Sequence, residues 1–329
     1  MSTFKAYRID RQDKQITAAF QDMSIDQLTE GEVVIKVNWS GINYKDALAA
    51  TGKGQILRRV PLNGGIDLAG TVESSADDRF TAGDSVLVCG CGLSETADGG
   101  YAEYARVCAD CVVPLPAGMS ERDAMGIGTA GFTAALAVMR MEQMDQNPDM
   151  GPVVVTGATG GVGSFAIDML ASKGYEVVAF TGKSEQYDYL RELGASDFID
   201  RNSLEMSGRP LDRATWGGAV DSVGGETLAW LCSTVVPFGN IASIGLAGGY
   251  TLETTVMPFI LRGVSLIGIN SIEMPIEMRN RAWQRLGDDL RPRNIDRIVT
   301  REINFDQLPE AFDDYLSASV SGRTVVKIS

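Results

Sequence analysis

The chain contains no histidine in 329 residues. That absence excludes Ser-His-Asp and Cys-His nucleophilic catalysis, and with them any metal site that uses an imidazole ligand. Cysteine is scarce as well: five residues, an odd number that argues against a disulfide framework. Four of them, Cys89, Cys91, Cys108 and Cys111, form a CxC and a CxxC, a spacing compatible with structural zinc. Against zinc, Leu87-Val88-Cys89 and Val107-Cys108 sit in apolar runs that predict buried strands. Basic residues are outnumbered, 29 to 43, for a net charge of -14, which opposes nucleic acid as the main partner at long range. An anionic ligand would therefore need a local basic pocket. No uncharged apolar run approaches the roughly 18 residues of a membrane span. The opening MSTFKAYRIDRQDK is mixed and charged, unlike a signal peptide, so the expectation is a cytoplasmic protein.

What is present divides into two patterns. The first stretch alternates in the manner of strands, as in Val33-Val34-Ile35-Lys36-Val37, Ala69-Gly70-Thr71-Val72 and Ser85-Val86-Leu87-Val88, with turns such as Gly83-Asp84 between. From about Arg122 an Ala-rich helical stretch runs to about Met144. Strand and helix then alternate: strands are expected at Val153–Thr156, Glu176–Phe180, Ala219–Val223 and Asn240–Ile244, the signature of parallel βαβ units. A helix near Arg279–Leu290 and a terminal strand Thr324–Ile328 close the chain. The reading is α/β, with a β-rich first body and a doubly wound parallel sheet.

The strand Val153–Thr156 runs directly into Gly157-Ala158-Thr159-Gly160-Gly161-Val162-Gly163. In that context each glycine has work to do. Gly157 allows the tight turn, Gly160 and Gly161 admit a pyrophosphate to the backbone, and Gly163 lets helix and strand pack closely. The helix N-terminus adds N–H groups and partial positive charge. The following strand ends in Thr181-Gly182-Lys183-Ser184, where NAD-binding folds carry an acidic residue for the ribose hydroxyls. A lysine and hydroxyls suit a 2′-phosphate, so NADPH is expected, with Arg201 closing on the same group. The plainer alternative makes Ser184 a helix cap and Lys183 a surface charge.

With these residues in view, the chain resembles the medium-chain dehydrogenase/reductase superfamily, its zinc-independent, quinone-oxidoreductase-like branch, and most closely the acrylyl-CoA reductase (NADPH) family. The resemblance rests on Gly41-Ile42-Asn43-Tyr44-Lys45-Asp46, Gly65-Ile66-Asp67-Leu68-Ala69-Gly70, Ile127–Ala134, the glycine loop, Gly245–Gly249, Thr254–Arg262 and Gly322–Ile328. It implies a GroES-like catalytic domain at 1–122 and 269–329, with a Rossmann domain at 123–268 inserted. Zinc-dependent members carry Gly-His-Glu where this chain has Gly65-Ile66-Asp67, so no metal is expected.

The chemistry left to a metal-free nicotinamide enzyme is reduction of a carbonyl-activated carbon–carbon double bond. Tyr44 is the candidate proton donor or orderer of a donor water, or else only packs against the nicotinamide, while Asn43 and Asp67 are the further catalytic candidates, with Lys45 beside them. Thr129, Thr159, Leu246, Ser271 and Arg323 join the expected cofactor contacts. The resemblance implies acrylyl-CoA as substrate and a homodimer formed through Val264–Ile269. Lys53, Arg58 and Arg59 are candidates for the CoA phosphates, as are Arg262, Arg279 and Arg281. A quinone oxidoreductase and a non-catalytic NADPH-binding sensor are the competing readings.

Overall fold

The computed structural model describes residues 3–13, 15–317 and 319–329. The chain forms two compact units: residues 1–129, 272–287 and 299–329 make one, and residues 130–271 and 288–298 the other.

The first unit is built on a seven-stranded sheet. Val299–Asn304, Arg323–Lys327, Val33–Ile42, Asp67–Ser75, Ser85–Cys89 and Val113–Pro114 follow one another across it, and Tyr104–Val107 also pairs with Val33–Ile42. A three-stranded sheet of Gln15–Met23, Phe4–Gln12 and Leu62–Asn63 completes the β structure. The alternating apolar residues Val33, Ile35 and Val37 enter one core with Leu68, Val86, Val88, Phe312 and Val326. The strand Val33–Ile42 lies at the middle of the larger sheet, and the helix Tyr44–Thr51 begins one residue after it ends.

The second unit is a six-stranded, wholly parallel sheet. Its order is Asp197–Asp200, Val177–Thr181, Val153–Thr156, Trp216–Asp221, Val235–Ser243 and Ser265–Gly268. All four residues of Val153–Thr156 are buried, as a central parallel strand covered on both faces requires. The order reverses on either side of this strand. The crevice at such a reversal, outside the carboxyl ends of the strands, is where ligands bind in open α/β sheets.

Three expectations change. The helix expected from about Arg122 starts at Glu121 and runs to Glu142, but it breaks at Gly128, whose φ of 48° and ψ of −158° are open only to glycine. The unit boundary falls just after this break, at 129/130 rather than 122/123, because the first arm belongs to the first body. Residues 288–298 belong to the second unit rather than to the C-terminal part of the first. Asp168, on the helix Gly161–Ser172, holds them: it accepts from Arg293 N–H (2.8 Å), Asn294 N–H (3.1 Å) and Asn294 Nδ2 (2.7 Å). Glu121–Glu142 is long and apolar enough to cross a membrane by length and composition alone. However, 89% of its most apolar window is buried within the protein, as in the core helix of a globular domain.

Candidate active site

In the first unit the site residues converge on one buried carboxylate. Asp67 opens its strand at 0% exposure. It accepts hydrogen bonds from Asn43 Nδ2 (2.8 Å), Thr129 N–H (2.9 Å) and Thr129 Oγ1 (2.5 Å), and from the Cys89 thiol. The Arg323 guanidinium lies 3.6 Å away. Arg323 is itself buried and donates to Ile42 O (2.8 Å), Asn43 Oδ1 (2.9 Å) and Gly126 O (3.1 Å). Asn43 is thus gripped at both ends of its amide and cannot turn. Gly128 must be glycine here for a second reason: a Cβ would stand 2.6 Å from Arg323 Nη2 and 2.7 Å from Asp67 Oδ2.

Asn43 immediately precedes the helix Tyr44–Thr51, and its N–H donates to Asp46 Oδ2 at 2.8 Å. Fixing Asn43 therefore fixes the first turn of the helix, where Tyr44 stands 55% exposed. Lys45, beside it, is paired with Glu95. Asp46 is buried and also accepts from Ile66 N–H at 2.9 Å. Burial, together with the negative charge of Asp67, pushes the Asp46 carboxyl up to about 7, against the pull of the Asn43 and Ile66 donors.

Asp67 and Arg323 both bond to the protein's own groups: Asp67 anchors Asn43 and Thr129, and Arg323 braces Asn43 and two backbone carbonyls. The Thr129 hydroxyl and N–H both serve Asp67. Arg279 is buried and donates to Cys89 O and Ile272 O, while Arg262 donates to Ser233 O, Val235 O and Asp212 O. Lys53, Arg58, Arg59 and Arg281 are exposed. Of the cysteines expected on buried strands, only Cys89 ends one; Cys108 is exposed, and Cys91 and Cys111 are half-buried.

In the second unit the glycine loop has the shape a dinucleotide needs. Gly157 holds a φ of 61°, and a Cβ on Gly163 would lie 2.4 Å from Gly157 O, so the helix Gly161–Ser172 packs tightly onto the turn. A Cβ on Gly160 would meet only Gly157 O at 3.3 Å, which leaves that backbone open to approach. No side chain caps the helix start at Gly160, and its first turn, Gly161, Val162 and Gly163, presents backbone N–H groups as an anion site. Thr159 is buried in the loop. Beneath it, Thr156 Oγ1 donates to Asp221 Oδ1 at 2.6 Å and ties two adjacent strand ends together.

At the next strand end, Thr181 Oγ1 accepts from Lys183 N–H (3.1 Å), and Arg201 N–H donates to Thr181 O (3.0 Å). Asn202 Nδ2 donates to Gly182 O at 3.2 Å, and a Cβ on Gly182 would lie 3.2 Å from Arg201 Nη2. Thr181, Gly182, Lys183, Arg201 and Asn202 thus form one polar, basic corner. Leu246, 66% exposed, follows the strand Val235–Ser243, and the half-buried Ser271 follows Ser265–Gly268. Both lie just past the carboxyl ends of their strands, on the same edge of the sheet as the glycine loop.

Sequence reasoning misses Asp46, Cys89 and Asn202 as parts of the site: Asp46 has no role of its own in its motif, Cys89 reads as zinc spacing or a buried strand, and nothing marks Asn202 beside Arg201.

The alcohol dehydrogenase GroES-like domain family matches residues 29–117, and the zinc-binding dehydrogenase family matches residues 161–287. This chain belongs to the medium-chain dehydrogenase/reductase superfamily. Among its superfamily relatives, the acrylyl-CoA reductase AcuI of Ruegeria pomeroyi is 44% identical over 99% of both chains. The protein named "Putative quinone oxidoreductase YhfP" of Bacillus subtilis is 46% identical over the whole of both. The crystal structure of the yhdH oxidoreductase from Salmonella enterica with NADP is 47% identical, with a TM-score of 0.95 over 99% of this chain and 100% of that one. The Bacillus subtilis yhfP structure with NAD bound is 46% identical, with a TM-score of 0.97 over the whole of both.

The zinc in the second family's name does not fit these residues. There is no histidine. The Asp67 oxygens are taken by four donors, and a guanidinium already stands beside them, where a dication would be repelled. Among the described residues no group of three or more Cys, Asp or Glu side chains is arranged to hold a metal.

The raised value at Asp46 makes a prediction. Because the native carboxyl keeps its proton to a higher pH than the unfolded chain does, the native state binds more protons between about pH 4 and pH 7. The stability that Asp46 contributes is complete below that window and is lost as pH rises through about 7. In Asp46→Asn that slope should vanish. Urea unfolding at pH 5 and pH 8 should show the wild type losing about 2 kcal/mol relative to the variant between the two pH values.

Proposed function

We propose that the protein is an NADPH-dependent reductase of the carbon–carbon double bond of a short 2-enoyl-CoA, acrylyl-CoA being reduced to propanoyl-CoA. The observation that carries the reading is an exposed phenol at the first turn of a helix whose preceding residue is locked by a buried carboxylate and a buried guanidinium. This is preorganisation with no metal. The fit of the dinucleotide rests on the glycine cradle and the basic corner at Thr181–Lys183, Arg201 and Asn202. The substrate rests on the likeness to the Ruegeria pomeroyi enzyme.

When bound, the nicotinamide supplies the hydride for the β-carbon of the enoyl group. The chain's own residues do the rest. The N–H groups of Gly161, Val162 and Gly163 hold the pyrophosphate, and Lys183, Arg201 and Asn202 hold the 2′-phosphate. Tyr44 offers its phenolic proton to the α-carbon directly or through a water it orders. Asn43 and Asp67 hold the start of the helix that carries Tyr44. Lys53, Arg58 and Arg59 supply the exposed positive charge for the CoA phosphates. The exposed edge strand Ser265–Gly268, beside the exposed apolar residues Val256, Ile260 and Leu261, is the surface for a homodimer.

Following NADPH oxidation at 340 nm tests the substrate. Acrylyl-CoA should be turned over with NADPH much faster than with NADH and faster than any quinone; quinone turnover without acrylyl-CoA turnover would transfer the chain to the competing reading. Tyr44→Phe should lower kcat about 100-fold or more while leaving the NADPH Kd within a few-fold. An unchanged kcat would remove Tyr44 as the proton source. Lys183→Ala combined with Arg201→Ala should weaken NADPH at least 10-fold and NADH hardly at all, since each charge-assisted contact to the 2′-phosphate contributes about 1.5–3 kcal/mol. In sedimentation velocity, Ile260→Glu should convert a dimer to a monomer.

A further inference from the structure

We infer that Glu95 is a positioning residue: it holds the loop bearing Arg58 and Arg59 against the helix that carries Tyr44, an assignment that rests on the reading of the substrate as a CoA thioester. Three hydrogen bonds meet on this one residue. Its main-chain oxygen accepts from Arg58 N–H (2.9 Å) and Arg59 N–H (3.2 Å), and its carboxylate pairs with Lys45 Nζ. Lys45 is the second residue of the helix Tyr44–Thr51, next to Tyr44. Glu95 thus ties the loop that follows this helix to the helix's own first turn.

The turn that presents Glu95 is tightly fixed. Four of its residues hold left-handed φ angles: Gly90 (71°), Cys91 (53°), Gly92 (80°) and Ser94 (58°). Cys91 and Ser94 carry a Cβ, and backbone of that kind persists only where its surroundings over-determine it. Here Gly92 O accepts from three successive N–H groups, those of Glu95 (3.0 Å), Thr96 (2.9 Å) and Ala97 (3.0 Å). Ser94 N–H donates to Ala97 O at 2.8 Å, and Leu93 and Ser94 are buried. The Glu95 side chain is 11% exposed and that of Lys45 26%, so the pair is sheltered more than an open surface ion pair. The loop it receives has no helix or strand between Thr51 and Leu62. Ile56 and Leu57 pack against the core there, while Arg58 and Arg59 stay exposed.

Charge makes the assignment decidable. From Tyr44 to Leu62 the chain carries four basic residues, Lys45, Lys53, Arg58 and Arg59, and one acidic residue, the buried Asp46. Glu95 is an anion set against this basic segment. By charge alone it opposes a phosphate-bearing ligand, so its removal would strengthen binding. As a positioning residue it does the reverse, because a loop already ordered loses less freedom when the phosphates arrive. The two roles predict opposite signs. Tyr44 itself stays in place without Glu95, since Asp67 holds Asn43 and Asn43 N–H holds Asp46. The loss therefore falls on recognition of the phosphate-bearing part of the substrate rather than on the chemical step.

The test compares the wild type with Glu95→Gln and Glu95→Ala, with folding checked by circular dichroism and by NADPH affinity. Calorimetry with coenzyme A is combined with kinetics on acrylyl-CoA and on the acrylyl thioester of N-acetylcysteamine, which lacks the phosphates. In Glu95→Ala the CoA Kd and the acrylyl-CoA KM should rise about 10-fold while kcat stays within about 3-fold. Turnover of the N-acetylcysteamine thioester should stay within about 2-fold of wild type. Glu95→Gln keeps an oxygen for Lys45 and should lie between wild type and Glu95→Ala; it decides the sign if the alanine variant fails to fold. Unchanged or tighter CoA binding in the variants, or an equal loss with both thioesters, overturns the role of Glu95 and leaves the substrate reading standing. Failure of the wild type to bind coenzyme A and to reduce acrylyl-CoA removes the substrate reading, and the role of Glu95 with it.

Discussion

The buried carboxylate of Asp67 is the constraint on which the first unit's site depends. An ionised group at 0% exposure is costly unless every lone pair is met, and here four donors and a guanidinium meet it. Each partner that satisfies the charge is fixed in turn. Asn43 is held and starts its helix; Thr129 is held and starts the second arm of the broken helix; Gly128 must give up its Cβ. The cost of burying one charge thereby sets the position of the exposed Tyr44.

The same residues stand in a chain that a zinc-binding dehydrogenase family matches over residues 161–287 but whose side chains do not fit the metal. A fixed positive charge, Arg323, stands 3.6 Å from Asp67 and 2.9 Å from Asn43 Oδ1. It organises the surrounding residues but has no vacant site at which to polarise a substrate. In the proposed mechanism the remaining chemistry falls to proton donation by Tyr44 and to the nicotinamide. In the second unit the fit comes from backbone more than from side chains: two glycines without room for a Cβ or with φ above zero, a helix start without a cap, and one basic corner.

Sequence legibility follows the range of the interactions. The glycine loop can be read residue by residue because each glycine acts on neighbours within about six positions, and the parallel strands follow from the alternation of strand and helix along the chain. The ends of elements were less legible. The break at Gly128 depends on Asp67 and Arg323, which lie 61 and 195 residues away in the chain. Asn43, Asp67, Thr129 and Arg323 can each be singled out in the sequence, but the hydrogen bonds that join them cannot. Composition and likeness mark a residue as belonging to a site, whereas whether its polar atoms are already spent shows only when distant segments are brought together.

The central claim is that the Asp67 anchor serves catalysis by holding Tyr44, and a double-mutant cycle on kcat tests it most directly. Asp67→Asn, Tyr44→Phe and the pair should be compared under saturating NADPH and acrylyl-CoA, with folding checked by circular dichroism. The account predicts that Asp67→Asn lowers kcat strongly in the wild type and hardly further in the Tyr44→Phe background, a coupling of about 1–3 kcal/mol. Independent, additive losses would contradict it.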